Sequence, residues 1–331
     1  MKKVIVTGAC GFIGTCLCRR LFEAGCRVTG IDNLSRAGSE INAEELKRSR
    51  QFTFVKADLS DTKAALRVFE EIGPADAVFH FAGQVAVTTS YVNRLNDFRG
   101  NAATGFNVIE SVKRFSPGAY CVYASTNKVF GHIVVEKPVG LERPLDPCTP
   151  YGVSKAVGEL YFTEYGRPPL GLSTCCFRQS CIYGHHQFGV EDQGWVAWFA
   201  IANLLGVPVT IYGDGKQVRD LLYIEDLVDL YLEAWEKRLT GVYPVGGGLP
   251  NAISLMEGIE LIRTLTGRDY RELRKEPSRP GDQPYFVADL AWAKPAGLTW
   301  SPRTGCREGL GKMISWIREN EAGLRKLHRL A

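Results

Sequence analysis

The sequence contains no Cys-x-x-Cys pair, no long run of lysine or arginine, no internal repeat and no low-complexity segment. Each absence removes a class of explanation. Without paired-cysteine spacing, the ten cysteines do not read as a zinc site, and Cys16-Leu-Cys18 and the adjacent Cys175-Cys176 are wrongly spaced as well. Several sit on apolar patterns, Cys121 in Tyr-Cys-Val-Tyr and the Cys175-Cys176 pair in Thr-Cys-Cys-Phe. They are expected to be small core residues of a reduced, cytoplasmic protein that binds no metal. The net charge of +4 is weak, and even the basic stretch 325–329 does not suggest a nucleic-acid partner. No apolar run reaches membrane length: the nearest, 195–212, is broken by Asn203, Gly206 and Pro208. It reads as a buried helix followed by a short strand, so no membrane partner is expected. A strand pattern begins at residue 3, which leaves no room for a signal peptide.

What is present is an alternation. β-rich runs at 4–6, 28–32, 52–55, 77–81, 120–124 and 173–177 are mostly separated by helix-length segments. The first such segment places Ile13, Leu17 and Leu21 on one face. This predicts an α/β fold, a Rossmann-type doubly wound parallel sheet that binds ligands beyond the C-terminal strand ends. At 331 residues the chain is long enough for that domain and a smaller companion. After about residue 180 the alternation weakens and aromatics, Gly and Pro become denser. The expected division is a dinucleotide-binding domain over 1–180, joined by about 209–236, and a smaller, mostly helical substrate domain over 181–208 and 237–331.

Thr7-Gly-Ala-Cys-Gly-Phe-Ile-Gly14 lies between the first strand and the first helix. Gly8 permits the turn, Gly11 lets the backbone approach a pyrophosphate, and Gly14 lets the helix pack on the sheet, with Phe12 and Ile13 in the same loop. Asp32, followed by Asn33, ends the second strand, where a carboxylate accepts from ribose hydroxyls and repels a 2′-phosphate. NAD is therefore expected rather than NADP, although Arg36 follows closely. Asp58-Leu59 after the third strand is placed to reach the adenine.

Tyr151-Gly-Val-Ser-Lys155 follows Pro150, a residue suited to a helix start. Tyrosine and lysine four apart share a helix face, and the lysine charge is expected to lower the phenol pKa toward neutrality. A chain with 13 tyrosines should contain such a spacing by chance on the order of once, so its place after the fifth strand carries the weight. Thr126 in Ser125-Thr-Asn-Lys-Val follows that same strand, and its hydroxyl is expected to meet the substrate oxygen.

These pieces, together with His80-Phe-Ala-Gly83, Asn101 and Arg219-Asp220, resemble the extended short-chain dehydrogenase/reductases, the nucleotide-sugar epimerases and dehydratases. The resemblance implies a catalytic trio of Tyr151, Lys155 and Thr126. It also implies NAD contacts from Ala82, Gly83, Asn101, Tyr151 and Lys155, and a cycle in which a sugar hydroxyl is oxidised and reduced again. Dehydratases of this family carry Asp-Glu after the threonine, where Asn127 and Lys128 stand here, so elimination of water is disfavoured. Ala82-Gly-Gln-Val-Ala-Val-Thr-Thr-Ser90, Asp192-Gln-Gly-Trp-Val-Ala-Trp-Phe199 and Gly215-Lys-Gln-Val-Arg-Asp220 resemble the branch that epimerises CDP-paratose at C2, the tyvelose epimerases.

That resemblance implies a CDP-sugar substrate. Arg219 and Arg279 would clamp its diphosphate, Tyr212 would meet the nucleobase or ribose, and Asp282 would brace the site. Gln84, Thr89, Thr126, Cys181, Gln187, Gln193 and Trp195 would line the pocket. Two departures bear on the sugar: Cys181 stands where many members have Asn, and the segment 132–149 is short. A UDP-sugar 4-epimerase would keep every catalytic residue, and a non-catalytic NAD-binding regulator would keep the fold. A homodimer is expected through the helices after Gly100 and near Tyr151.

Overall fold

The computed structural model describes residues 1–133 and 135–329. Val134, inside the short 132–149 segment, and residues 330–331, at the end of the expected substrate domain, lie outside the described residues. The six anticipated strands form as Lys3–Thr7 (β1), Arg27–Asp32 (β2), Phe52–Lys56 (β3), Ala77–His80 (β4), Tyr120–Thr126 (β5) and Ser173–Gln179 (β6). Cys181–Tyr183 (β7), Val209–Tyr212 (β8), Val218–Tyr223 (β9) and Gly241–Val245 (β10) follow.

The main sheet runs β10-β6-β5-β4-β1-β2-β3, and every neighbouring pair in it is parallel. β4 and β5 are buried along their whole length, as strands covered by helices on both faces must be. Strand order reverses between β1 and β4, so their C-terminal ends diverge into a crevice. The fold is the Rossmann-type architecture anticipated, with helices Trp195–Leu205, Leu255–Thr266 and Cys306–Glu319 in the C-terminal region.

Two details depart from the expected layout. β8 does not return to the main sheet but pairs with Leu273–Glu276 in a sheet of its own. The seventh main-sheet strand is β10, drawn from the stretch assigned to the substrate domain. It holds Pro244, which normally argues against a strand; an edge position tolerates a residue that cannot donate to the ladder. Trp292 then covers that edge, its indole N–H donating to the Pro244 carbonyl at 2.8 Å. The helix Ile224–Lys237 does come back, through an Arg20–Asp229 ion pair of 2.7 Å to the first helix and a Phe81–Tyr231 stack of 5.2 Å.

All ten cysteines are free; seven are buried, Cys181 and Cys306 are half-buried, and Cys148 is exposed. Burial pushes the Cys10 thiol up to about 12, so these residues pack as small hydrophobes. Among the described residues no helix is long and apolar enough to cross a membrane.

A buried carboxylate fastens the second half of the chain to the first. β9 is the centre of a small sheet, with Ala252–Ser254 antiparallel on one side and Tyr285–Phe286 parallel. Asp220 on β9 is fully buried and accepts from Ser180 Oγ, from Gly248 N at 3.1 Å and from Ala288 N at 2.9 Å. Its donors thus come from the end of the main sheet, from the loop after β10 and from the C-terminal region. Asp220→Ala strands those donors in a dry interior and is expected to cost about 3 kcal/mol, read as a lowered urea midpoint. An unchanged midpoint would show that Asp220 is not the fastening point.

Candidate functional site

A cleft of about 800 Å³ opens at the reversal point, above the C-terminal ends of β1, β4 and β5. Every residue expected to meet the cofactor lines it except Asn101. The glycine loop has the required shape. Gly8 has a φ of +67°, and a Cβ there would lie 2.6 Å from the Ala82 nitrogen. A Cβ on Gly14 would lie 2.2 Å from the Gly8 carbonyl oxygen, so the loop and the first helix touch backbone to backbone. That helix, Phe12–Glu23, has no side-chain cap and no acidic residue in its first turn. Its free N–H groups and positive dipole end are left for an anion. Asp32 accepts from Cys10 N at 3.0 Å and Leu34 N at 2.8 Å, which fixes the carboxylate at the cleft edge with acceptor capacity remaining for ribose hydroxyls. These features fit NAD.

The floor of the cleft is set by helix Pro150–Tyr165. Thr149 caps it, accepting from Gly152 N at 2.9 Å, with proline in the first turn. Tyr151 and Lys155 both line the cleft, as does Thr126, whose hydroxyl acts on the Tyr151 phenol. The helix sits close to β5 because Gly158 has no side chain: a Cβ there would be 2.2 Å from the Tyr123 oxygen. Tyr123 uses that space to donate to the Lys155 carbonyl at 3.1 Å, and its ring lies 4.7 Å beneath the Lys155 ammonium.

The electrostatics correct one expectation. The Tyr151 phenol is not brought toward neutrality; burial pushes it up to about 12, Thr126 pulls it down, Asp97 raises it and Arg36 lowers it. Burial likewise lowers Lys155 to about 8, opposed by the charge of Asp97. Both groups resist ionisation because a dry site disfavours the charged form of each. Arg36, noticed in the sequence only for its bearing on NADP, lines the cleft and acts electrostatically on the phenol.

Asn101 stands behind the wall, in a turn of π-helix over Phe98–Ala103, a distortion common at functional sites. It donates to Ser154 Oγ at 3.0 Å, and Ser154 donates to the Asp97 carboxylate at 2.7 Å. Asp97 and Ser154 were not singled out from the sequence. Their signal was there, since Asp97 lies one helical turn before Asn101 and Ser154 lies inside Tyr-x-x-x-Lys, but pairing a buried carboxylate with a lysine charge needed the fold.

Of the expected substrate residues, Gln84, Thr89, Gln187 and Gln193 line the cleft with Thr126. Gln187 is buried and its Oε1 has no partner. Cys181, Trp195, Tyr212, Arg219, Arg279 and Asp282 are not in that wall but stand in adjoining groups. Arg279 lies 3.9 Å over the Tyr212 ring and donates to the Glu191 carbonyl, one residue from Asp192 in the cleft wall. Arg219 donates to Asp282 at 2.7 Å. Trp195 packs against Phe199 at 5.6 Å, and Cys181 belongs to β7. Asn127, turned away from the cleft, donates to Gln283 Oε1 at 3.2 Å. The returned Gln283 bonds to the Asn127 and Gly131 carbonyls pin the 279–283 segment to the loop after β5.

The sequence profile of the NAD dependent epimerase/dehydratase family matches residues 4–246. Over 95% of this chain and 98% of the other, the protein is 36% identical to the CDP-paratose 2-epimerase of Salmonella typhi. It is 28% identical to the UDP-glucose 4-epimerase of Mycolicibacterium smegmatis over 96% of this chain and 98% of that one. The crystal structure of the Thermus thermophilus UDP-glucose 4-epimerase complex with NAD superposes with a TM-score of 0.85 at 31% identity, covering 96% of this chain and 99% of that one.

Gly14→Ala tests the cradle directly. Its Cβ would meet backbone, which cannot swing aside, so NAD affinity should fall at least roughly tenfold in a fluorescence titration. Unchanged affinity would show that the loop does not hold the cofactor.

Proposed function

The chain belongs to the NAD dependent epimerase/dehydratase family, and from that premise we propose that it inverts C2 of a CDP-activated hexose of the paratose/tyvelose type. It is an NAD-dependent isomerase. The observation that carries the finer reading is the pairing of Tyr151 and Thr126 at the floor of a cleft bordered by Asp192 and Gln193. These last belong to the Asp-Gln-Gly-Trp run that resembles the C2 branch.

NAD, when bound, would accept the C–H hydride and give it back, held by the Gly8–Gly14 loop and Asp32 in the cleft that Tyr151 and Lys155 also line. The protein does the rest. Tyr151 Oη takes the C2 hydroxyl proton as the hydride leaves, and returns it when the hydride comes back to the opposite face. Thr126 holds the same oxygen, and Lys155 sets the charge around it. The 2-keto sugar turns over between the two transfers. Asn101 orders this wall through Ser154 and so acts on position rather than on bonds. Gln187, with its unpartnered buried oxygen, is proposed to accept from a sugar hydroxyl.

A UDP-sugar 4-epimerase is the second reading, supported by the Mycolicibacterium relative and the Thermus structure. It changes only which C–H faces the nicotinamide. Proton NMR in deuterium oxide, with CDP-, UDP- and GDP-sugars, separates the two. Inversion at C2 without deuterium at that carbon is expected; inversion at C4 with C2 untouched would sink the first reading. Tyr151→Phe should stay folded and bind NAD while turnover drops roughly 10²- to 10⁴-fold. Undiminished turnover would remove the tyrosine from the mechanism, and turnover in neither protein would favour an NAD-binding regulator.

A homodimer is proposed, in a reduced cytoplasmic setting. Val92, Leu95 and Phe98 before Gly100, and Val153, Leu160 and Tyr161 on the Tyr151 helix, are exposed apolar side chains. Phe106 packs against Tyr161 with tilted rings at 4.9 Å and links the two rows. A patch of this kind is atypical of a monomer, and two antiparallel copies would bury it. Leu160→Glu with Phe98→Glu should halve the mass seen by light scattering, whereas a wild-type monomer would end the proposal.

A further inference from the structure

The cation two residues after Thr126 has no role in the mechanism above. Lys128 lies in the short helix Asn127–Phe130, with its side chain only 15% exposed. Its backbone N–H donates to Thr126 Oγ1 at 3.3 Å, so it is tied to the hydroxyl that meets Tyr151. Its Nζ lies 3.5 Å from Asp282 Oδ1, and Arg219 donates to that same oxygen at 2.7 Å. Two cations therefore share one carboxylate, leaving a net positive charge at a partly dry position. The charged or titratable groups facing the ammonium are Arg219 on β9, Asp282 in the 279–283 segment and Cys148 in the loop before the Tyr151 helix. Burial and Arg219 hold Lys128 down at about 8, against the pull of Asp282.

We propose that Lys128, together with Arg219, grips the sugar-bearing phosphate of the substrate and so sets which carbon faces Tyr151. This rests on the C2 reading for the choice of carbon, but not for the phosphate contact. C2 is bonded to the anomeric carbon, so presenting it to Tyr151 brings the phosphate on C1 close to Thr126. C4 lies across the ring, and presenting it moves that phosphate away. A cation two residues from Thr126 reaches the phosphate in the first register and not in the second. The segment is rigid: Asn127 and Gln283 bond reciprocally, which fixes Lys128 and Asp282 relative to each other. A phosphate held by two cations gives the 2-keto sugar a fixed pivot about its C1–O and O–P bonds while the ring turns over. Asp282, half-buried, would then serve to keep the two cations together when no anion lies between them.

The experiment uses the NAD-loaded protein and whichever of CDP, UDP and GDP binds it most tightly, alongside the matching monophosphate. Lys128→Met should weaken the diphosphate roughly ten- to thirtyfold in calorimetric titration and leave the monophosphate within about twofold. The wild-type diphosphate affinity should fall as pH rises through about 8, where Lys128 loses its proton; Lys128→Met should lack that limb, and Lys128→Arg should restore affinity without it. Equal weakening of diphosphate and monophosphate, or no weakening at all, would overturn the phosphate grip. An unchanged melting temperature and NAD content check that the variant is folded. Product analysis addresses the carbon separately. Wild-type inversion at C4 would overturn the register argument along with the C2 reading, while the titrations would still decide the phosphate contact.

Discussion

The Asp220 carboxylate is the constraint on which the site depends. On a strand, consecutive side chains point to opposite faces, so the strand that turns Asp220 into the interior must turn Arg219 the other way, toward Asp282 and Lys128. Burial raises the Asp220 pKa to about 6, and the hydrogen bonds from Ser180, Gly248 and Ala288 lower it without cancelling that rise. The folded-state value lies above the usual carboxylate value. Ionisation therefore works against the fold: whatever stability this shift contributes is present in acid and is lost as pH rises through about 6. The carboxylate is kept for what it organises. It brings the end of the main sheet, the loop after the edge strand and the C-terminal region to one point, and Arg219 is the residue immediately before it in the chain.

A second constraint acts on the catalytic floor. Tyrosine and lysine are both held in their neutral-leaning states by burial, the phenol near 12 and the ammonium near 8. A site at rest with its phenol protonated does not abstract protons indiscriminately. Arg36 already lowers the phenol at rest, so on the proposed mechanism ionisation would need further positive charge of the kind a nicotinamide would supply when bound. The Asp97–Ser154–Asn101 chain works in the opposite sense on the two groups, raising the phenol and supporting the ammonium.

Much of this was legible in the residues, for reasons that differ from place to place. The six strands of the dinucleotide half were visible because buried parallel strands are continuous apolar runs set between helices. The Gly8–Gly14 loop was visible because close backbone approach admits no other residue. β10 was not among the strands read from the sequence, since it lies where the strand–helix alternation weakens and it carries Pro244, which only an edge position tolerates. The Tyr151 pKa was misjudged because the i, i+4 spacing supplies a nearby charge but says nothing about desolvation, which is the larger effect here. Asp97 escaped notice because its importance comes from a lysine 58 positions away, a distance that only folding closes. The substrate residues beyond Thr126 were placed by resemblance, and six of them fall in groups beside the cleft rather than in its wall.

The loop after β5 also limits what the site can do to a keto sugar. Elimination of water needs an acid and a base flanking the ring, and each of the two positions that would supply them is committed elsewhere. Asn127 is neutral and locked to Gln283. Lys128 is a cation that shares the Asp282 carboxylate with Arg219, and a proton it gave up would leave Asp282 with less of its compensating charge. On the proposed reading, an oxidised sugar in this site would have one favourable course, return of the hydride. Inversion then depends on rotation of the ring rather than on further acid–base chemistry. That places the burden of specificity on whatever fixes the sugar's pivot, which is the role proposed above for Lys128 and Arg219.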